Sequence, residues 1–205
     1  PWAHAQWPPP HSLRGSAVEL TQFVPEDGAA LFAALDHDAD WEHVAGRPKT
    51  AEELTTTLSD APGKGRWPWV VRLLTDLGSA RAGDVVGTSS YLDVSLPDSR
   101  LEIGWTAYSP SVWATRVNPE AKLLLMSWAF EHGFGRVQLK TDIRNLRSQR
   151  AILGIGATYE GVLRRYQRRV DQTVRDTVMF SVTAEDWSGV RSLLDRRLKG
   201  PSNPA

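Results

Sequence analysis

The chain has no cysteine in its 205 residues. That absence excludes disulfides, thiolate metal sites and a cysteine nucleophile, and it fits the reducing cytoplasm, the location expected here. An excess of charge of one sign is also lacking. Lys and Arg number 24 against 24 Asp and Glu, so no net field draws the chain to nucleic acid or to an anionic membrane, although 164–169 is locally basic. No run of about 18 apolar residues, the length that crosses a bilayer, occurs, and no apolar signal core is visible. Histidines occur at 4, 11, 37, 43 and 132 without zinc spacing, and there is no Gly-x-Ser-x-Gly nucleophile elbow and no internal repeat. Asp36-His37-Asp38-Ala39-Asp40 opens like a calcium loop. Trp41 stands where that loop requires glycine, however, and Arg47 where it requires glutamate, so no metal is expected.

What is present is enough apolar mass for one soluble domain with a sizeable core, at 41% hydrophobic and 23% charged residues. The expected division is an arm over 1–15, a single domain over 16–199 and a tail over 200–205. The arm has no period and carries Trp2, Trp7 and Pro8-Pro9-Pro10. Its tryptophans argue that it docks on a surface, and if they stay unpacked in the monomer they argue for a homodimer. Alternation predicts a strand at 18–24, and Pro25-Glu26-Asp27 opens a helix in which Leu31, Phe32 and Leu35 recur at helical spacing. A short helix follows at about 50–58. Strands are predicted at 67–74, 85–94 and 101–108, joined as an antiparallel meander through the turn at 97–100. Beyond a central helix come a strand at 136–142, a helix at 148–153 and strands at 159–165 and 177–182. The closing helix starts at a capping-box pattern, 183–186, and shows Trp187, Val190, Leu193, Leu194 and Leu198 on one face. This order gives an α+β fold, a mixed central β-sheet flanked by helices.

The chain is organised around 101–118 and the helix that follows it. Ile103 and Trp105 fall on one face of a strand and Glu102 on the other, and Ser109-Pro110 ends it because proline cannot donate to a ladder. Asn118 is the expected N-cap, Pro119 sits where a missing N–H costs nothing, and Glu120 lies against the positive helix end. Ala121, Leu124, Leu125, Trp128 and Ala129 then repeat at helical spacing. Free backbone N–H groups of 117–121, with the loop amides before them, converge on one point and suit an anion such as a pyrophosphate.

Several motifs occur in order along the chain: Leu101-Glu102-Ile103-Gly104-Trp105, Asn118-Pro119-Glu120-Ala121-Lys122, Ala129-Phe130-Glu131, Lys140-Thr141-Asp142, the segment 145–148, Gly156-Ala157, Glu160-Gly161 and Arg175-Asp176. Together they resemble the RimJ/RimL-type amine and ribosomal-protein acetyltransferases of the GNAT superfamily, over about 18–198. The resemblance implies the GNAT fold, in which acetyl-CoA, a co-substrate, lies across splayed strands 4 and 5 with its pyrophosphate on the helix after strand 4. It also implies acetyl transfer by direct attack of a primary amine, either a protein N-terminus or a small-molecule amine. The implied cofactor-binding residues are Trp105, Thr106, Trp113, Ala114, Thr115, Arg116, Val117, Asn118, Asn145 and Ser148. Backbone N–H groups at Trp105 and Thr106 would polarise the thioester carbonyl, Asn145 would bond the pantetheine arm, and Ser148 would protonate the departing thiolate.

The sequence also departs from that pattern. The family's pyrophosphate loop carries glycines, whereas 113–118 has none. There, Ala114 is small, Thr115 offers a hydroxyl, and Arg116 either pairs with phosphate or points to solvent. The tyrosine acid of many relatives falls on Ile152, so Ser148 is the acid candidate, with a plainer reading as the N-cap of the 148–153 helix. An amine acceptor is a cation at neutral pH and needs a base. Glu102 is the catalytic candidate, equally readable as half of a charge pair, and Glu160 reads more readily as structural. Gln167, at the position where RimL-like enzymes suggest a base, cannot accept a proton. A catalytically weak or inactive CoA-binding module is the alternative function, and 36–47 and 166–174 are the segments expected to frame the acceptor.

Overall fold

The computed structural model describes residues 4–44, 46–169 and 171–200; Trp2 and the tail over 201–205 lie outside them. Its centre is an eight-stranded sheet in the order β1-β2-β3-β4-β5-β6-β8-β7. The strands are β1 Ser12–Arg14, β2 Val18–Gln22, β3 Arg66–Leu73, β4 Val85–Ser95, β5 Arg100–Tyr108, β6 Arg136–Asp142, β7 Thr158–Arg168 and β8 Val174–Thr183. The helices are α1 Gly28–Leu35, α2 Asp38–Trp41, α3 Ala51–Ser59, α4 Val117–Glu131, α5 Leu146–Gly154 and α6 Ala184–Lys199.

The arm contributes more than a docked tail. Ser12–Arg14 pairs antiparallel with β2, Leu13 opposite Leu20, so the splayed strands are fifth and sixth in this chain. Trp7 packs edge-on against Trp67 at 4.7 Å between ring centroids and also meets Tyr91 and Trp128. The homodimer argument from an unpacked Trp7 therefore loses its ground.

Two apolar clusters place the helices. Leu101, Ile103, Leu125, Ala129 and Phe180 belong to the cluster under α4, α5 and α6, whereas Leu31, Leu54, Val70 and Ala107 belong to the one under α1 and α3. β5 changes sides between them. Thr88 faces Ala107 and Ser90 faces Gly104, so Trp105 and Thr106 together oppose Ser89 in a β-bulge. One inserted residue inverts the alternation. Ile103 accordingly packs toward α4 and Trp105 toward α1 and α3, in contrast to the single face expected for both.

All neighbouring strands are antiparallel except β5 and β6. That parallel pair is registered only at Arg100↔Arg136, Leu101↔Val137 and Glu102↔Gln138. Beyond Glu102 the two strands part.

Helix starts differ from expectation at two places. α4 begins at Val117 with Arg116 in the cap position and no side-chain cap. Thr115 Oγ1 accepts the Val117 N–H at 3.3 Å, and the Asn118 amide oxygen is buried without a partner. α5 begins at Leu146, and Asn145 caps it by accepting the Ser148 N–H at 2.9 Å. Ser148 is thus inside the helix and does not cap it. Thr183 forms the expected capping box with Asp186. Along α6, Trp187, Val190 and Leu194 are buried and Leu193 is exposed.

Candidate active site

A cavity of about 1360 Å³ occupies the gap where β5 and β6 diverge. Its end nearest α4 is built from the loop after β5. Pro110–Val112 forms a single tight helical turn, and Ala114 then takes φ +58, the left-handed region that an L side chain occupies at a cost. The chain re-enters right-handed geometry at Arg116. Among the described residues, the N–H groups of Ala114, Thr115, Arg116 and Asn118 donate to no protein acceptor. Left-handed Ala114 and right-handed Arg116 thus flank amides that have no protein acceptor, at the positive end of a fifteen-residue helix, a setting that suits an anion.

The free amides lie slightly earlier than expected, because Thr115 Oγ1 occupies Val117 N–H and Glu120 N–H bonds Arg116 O at 3.0 Å. The Thr115 hydroxyl itself donates to Val112 O at 2.6 Å. Of the loop residues proposed for the cofactor, Trp113, Ala114 and Asn118 line the cavity, and Thr115, Arg116 and Val117 do not. The Arg116 guanidinium bonds Ser16 Oγ at 3.2 Å and Leu198 O at 3.3 Å, and lies 3.9 Å from Glu120. It is turned toward the β1–β2 turn and α6. Glu120 is buried there, accepting from the Ser16 hydroxyl at 2.9 Å and the Ala17 N–H at 3.1 Å.

Across the gap, the start of α5 contributes Asn145 and Ser148, both on the cavity wall. The Ser148 hydroxyl has no hydrogen-bond partner among the described residues. Arg147 lays its guanidinium on the Trp113 ring at 3.6 Å and reaches Ala39 O at 3.2 Å. It therefore ties α5 to the loop after β5 and to α2. Trp113 is fixed in turn by its Nε1–H, which donates to Tyr108 O at 2.7 Å. The Tyr108 hydroxyl, also on the wall, is buried without a partner, and burial raises its pKa.

The bulge forms the middle of the site. Trp105 has φ +50, and the bulge withdraws Trp105 and Thr106 from regular pairing with β4. Trp41 packs edge-on to the Trp105 ring, and the Arg66 guanidinium lies 3.9 Å above it. On the opposite side of the strand stands a group that the sequence reading missed. Lys122 is 4% exposed, lines the cavity and reaches Thr106 Oγ1 at 2.7 Å and Ser89 Oγ at 3.0 Å. No carboxylate lies within ion-pair distance of it among the described residues, and burial lowers its pKa to about 7. The signal was its phase: Lys122 precedes Leu125, Met126 and Ala129 by three, four and seven residues, all of them buried.

At the far end stand the carboxylates. Glu102 binds Lys140 at 2.6 Å. Burial pushes its pKa up, outweighing the lowering effect of Lys140, while Glu102 holds the Lys140 ammonium up against the opposing effect of burial. Glu160 sits outside the cavity lining, clasped by Arg136 with one contact of 2.6 Å and bonded by Ser181 at 2.7 Å. The hydrogen bond from Arg136 holds its pKa down. Ile152 is buried in the core and supplies no acid, and Gln167 lines the cavity. No cluster of metal-ligating side chains occurs among the described residues, and no helix among them is long and apolar enough to cross a membrane.

Comparison with known proteins agrees with this geometry. Residues 17–158 match the family described as an acetyltransferase (GNAT) domain. A solved structure from T. thermophilus, described as an acetyltransferase, is 34% identical, with 94% of this chain and all of that one aligned at a TM-score of 0.82. A GNAT-family protein from Chromobacterium violaceum is 29% identical over 91% of this chain and 93% of its own, also at 0.82. Mycobacterium smegmatis RimJ, solved with CoA-disulfide, shares the fold at a TM-score of 0.72 with 20% identity, covering 91% of this chain and 92% of its own. No curated protein sequence matches the chain.

Proposed function

Because the chain belongs to the GNAT acetyltransferase family, we propose that it moves an acetyl group from acetyl-CoA to a primary amine by direct attack, as a cytoplasmic enzyme of the RimJ/RimL branch. The observation that carries this reading is the run of unpartnered amides at Ala114, Thr115, Arg116 and Asn118, of which Ala114 and Asn118 belong to residues on the wall of the β5–β6 gap. They suit a pyrophosphate without any glycine, since Ala114 has already adopted the left-handed turn. Acetyl-CoA supplies the activated acyl group. The chain's own residues bind, orient and move protons. The Asn145 side chain caps α5 through its oxygen and leaves its NH2 for a pantetheine carbonyl. The bulge at Trp105 and Thr106 offers backbone donors to the thioester oxygen, and Lys122 braces that bulge from beneath through Thr106.

Ser148 is the acid in this proposal, its unpartnered hydroxyl donating to the thiolate sulfur. Glu102 takes the ammonium proton of the acceptor: its carboxyl is raised by burial, which strengthens it as a base, and Lys140 steadies it in place. Calorimetry with acetyl-CoA followed by a thiol-release assay over a panel of amines tests the reading. In Ser148→Ala, kcat is expected to fall by about tenfold to a hundredfold while acetyl-CoA affinity stays within about threefold. Tight binding of acetyl-CoA with no thiol release for any amine would instead leave a CoA-binding module.

A further inference from the structure

Among the described residues, not every charge on the cavity wall has a counterpart. Glu102 pairs with Lys140 at 2.6 Å, Asp142 with Arg169 at 2.6 Å and 2.8 Å, and Arg47 with Asp36 at 2.9 Å. Arg175, on β8 opposite Gln167, is left over. Its guanidinium makes no hydrogen bond or ion pair among the described residues, and its Nε is buried with no partner. Burial works against its charge, and Glu102 and Asp142 act on it only at a distance. A half-buried guanidinium with an orphaned N–H costs free energy until an anion meets it.

Arg66 repeats the pattern on the far side of Trp105. It is partly buried, its Nη1 has no partner, and the only hydrogen bond of its guanidinium among the described residues is from Nη2 to Thr57 O at 3.3 Å. The acceptor end of the cavity thus presents guanidinium groups without carboxylates, together with Glu102, the carboxylate placed to receive an ammonium proton. A ligand complementary to this wall carries an anion and an amine on one small skeleton.

We infer that the acceptor is a small amine bearing a carboxylate, such as a free amino acid, with the carboxylate held by Arg175 and the amine delivered beside Glu102. This inference rests on the acetyl-transfer reading and names its substrate class. In the reaction the acceptor nitrogen forms the bond to the acetyl carbon as the carbon–sulfur bond breaks. Glu102 takes one ammonium proton before attack, and the second proton that the nitrogen loses passes through the Ser148 hydroxyl to the sulfur, which leaves as the CoA thiol.

The test uses the full chain, acetyl-CoA and matched acceptors: free L-amino acids, their carboxamides and a longer peptide with a free N-terminus. Thiol release is expected with kcat/KM at least about tenfold higher for the carboxylates than for the carboxamides. Arg175→Gln should remove about tenfold to a hundredfold from the carboxylates, mainly through KM, and little from the carboxamides. Arg175→Lys should recover part of the loss and controls for folding. Equal rates on carboxylates and carboxamides, or release with the peptide and not with the amino acids, would overturn this inference and leave acetyl transfer standing. No release with any acceptor would overturn both.

Discussion

Arg116 and Ala114 stand two residues apart in a loop without glycine, and the structure gives them opposite consequences. The Arg116 guanidinium is held by Ser16 and Leu198, so Arg116→Ala is expected to cost about 1 kcal/mol of stability and to leave acetyl-CoA affinity within about threefold. A hundredfold loss of affinity, measured by calorimetry at low salt, would return the guanidinium to the phosphate. Ala114 sits at φ +58. Glycine removes a strain of about 1–2 kcal/mol there and adds about 0.5–1 kcal/mol of backbone entropy cost, so Ala114→Gly should leave stability level or up to about 1.5 kcal/mol higher in urea unfolding. Lys122 makes stability depend on pH. Its pKa falls from 10.5 to about 7 on folding, so between those values the unfolded chain holds a proton that the folded chain has released. Its contribution therefore rises with pH from about 7, by up to about 1.4 kcal/mol per unit, and below that the full burial cost remains. Lys122→Met lacks this dependence. The difference in unfolding free energy between wild type and variant should move in favour of the wild type from pH 7 to pH 9, and a flat difference would show that Lys122 is not buried as described.

Elements differ in how plainly the chain spells them. Long periodic segments were legible: β4, β6, α4 and α6 appear within a residue or two of expectation, because each repeats a pattern over several turns or alternations. β1 was not, since three residues after a triple proline give alternation nothing to show. The bulge in β5 was invisible for another reason. Alternation is a property of one strand, whereas a bulge exists only against its partner, here Ser89. Site residues followed the same division. Asn145 and Ser148, both on the cavity wall, were singled out by their motif, but which of them caps α5 depended on where the helix began. That assignment predicts that Asn145→Ala destabilises by about 1 kcal/mol in urea unfolding, while Asn145→Asp restores the cap. If Asn145→Asp recovers stability and leaves KM for acetyl-CoA raised, the NH2 group has a separate role toward the cofactor; recovery of both would assign Asn145 to the helix alone.

For the whole molecule, a short join lies inside the sheet, between β5 and β6. β1 to β5 form one antiparallel unit and β6, β8 and β7 another, and three registered residue pairs connect them, bridged by α4. Amide exchange should expose this seam. Amides along 103–108 that face the gap should exchange faster than those of β3 and β4 beside them, and should slow on addition of acetyl-CoA. Uniform protection across β4, β5 and β6 without cofactor would contradict the seam. A site made by withholding strand pairing, without hollowing out the core, also has a consequence for cooperativity. In the free protein each half retains its own hydrogen-bonded ladder, joined to the other mainly through the shared apolar cluster, so heating can loosen one ladder before the other. A molecule lying along the gap with amides of its own would act as the missing length of ladder. The cofactor would then couple the two halves mechanically, and a broad melting profile would sharpen into a single transition.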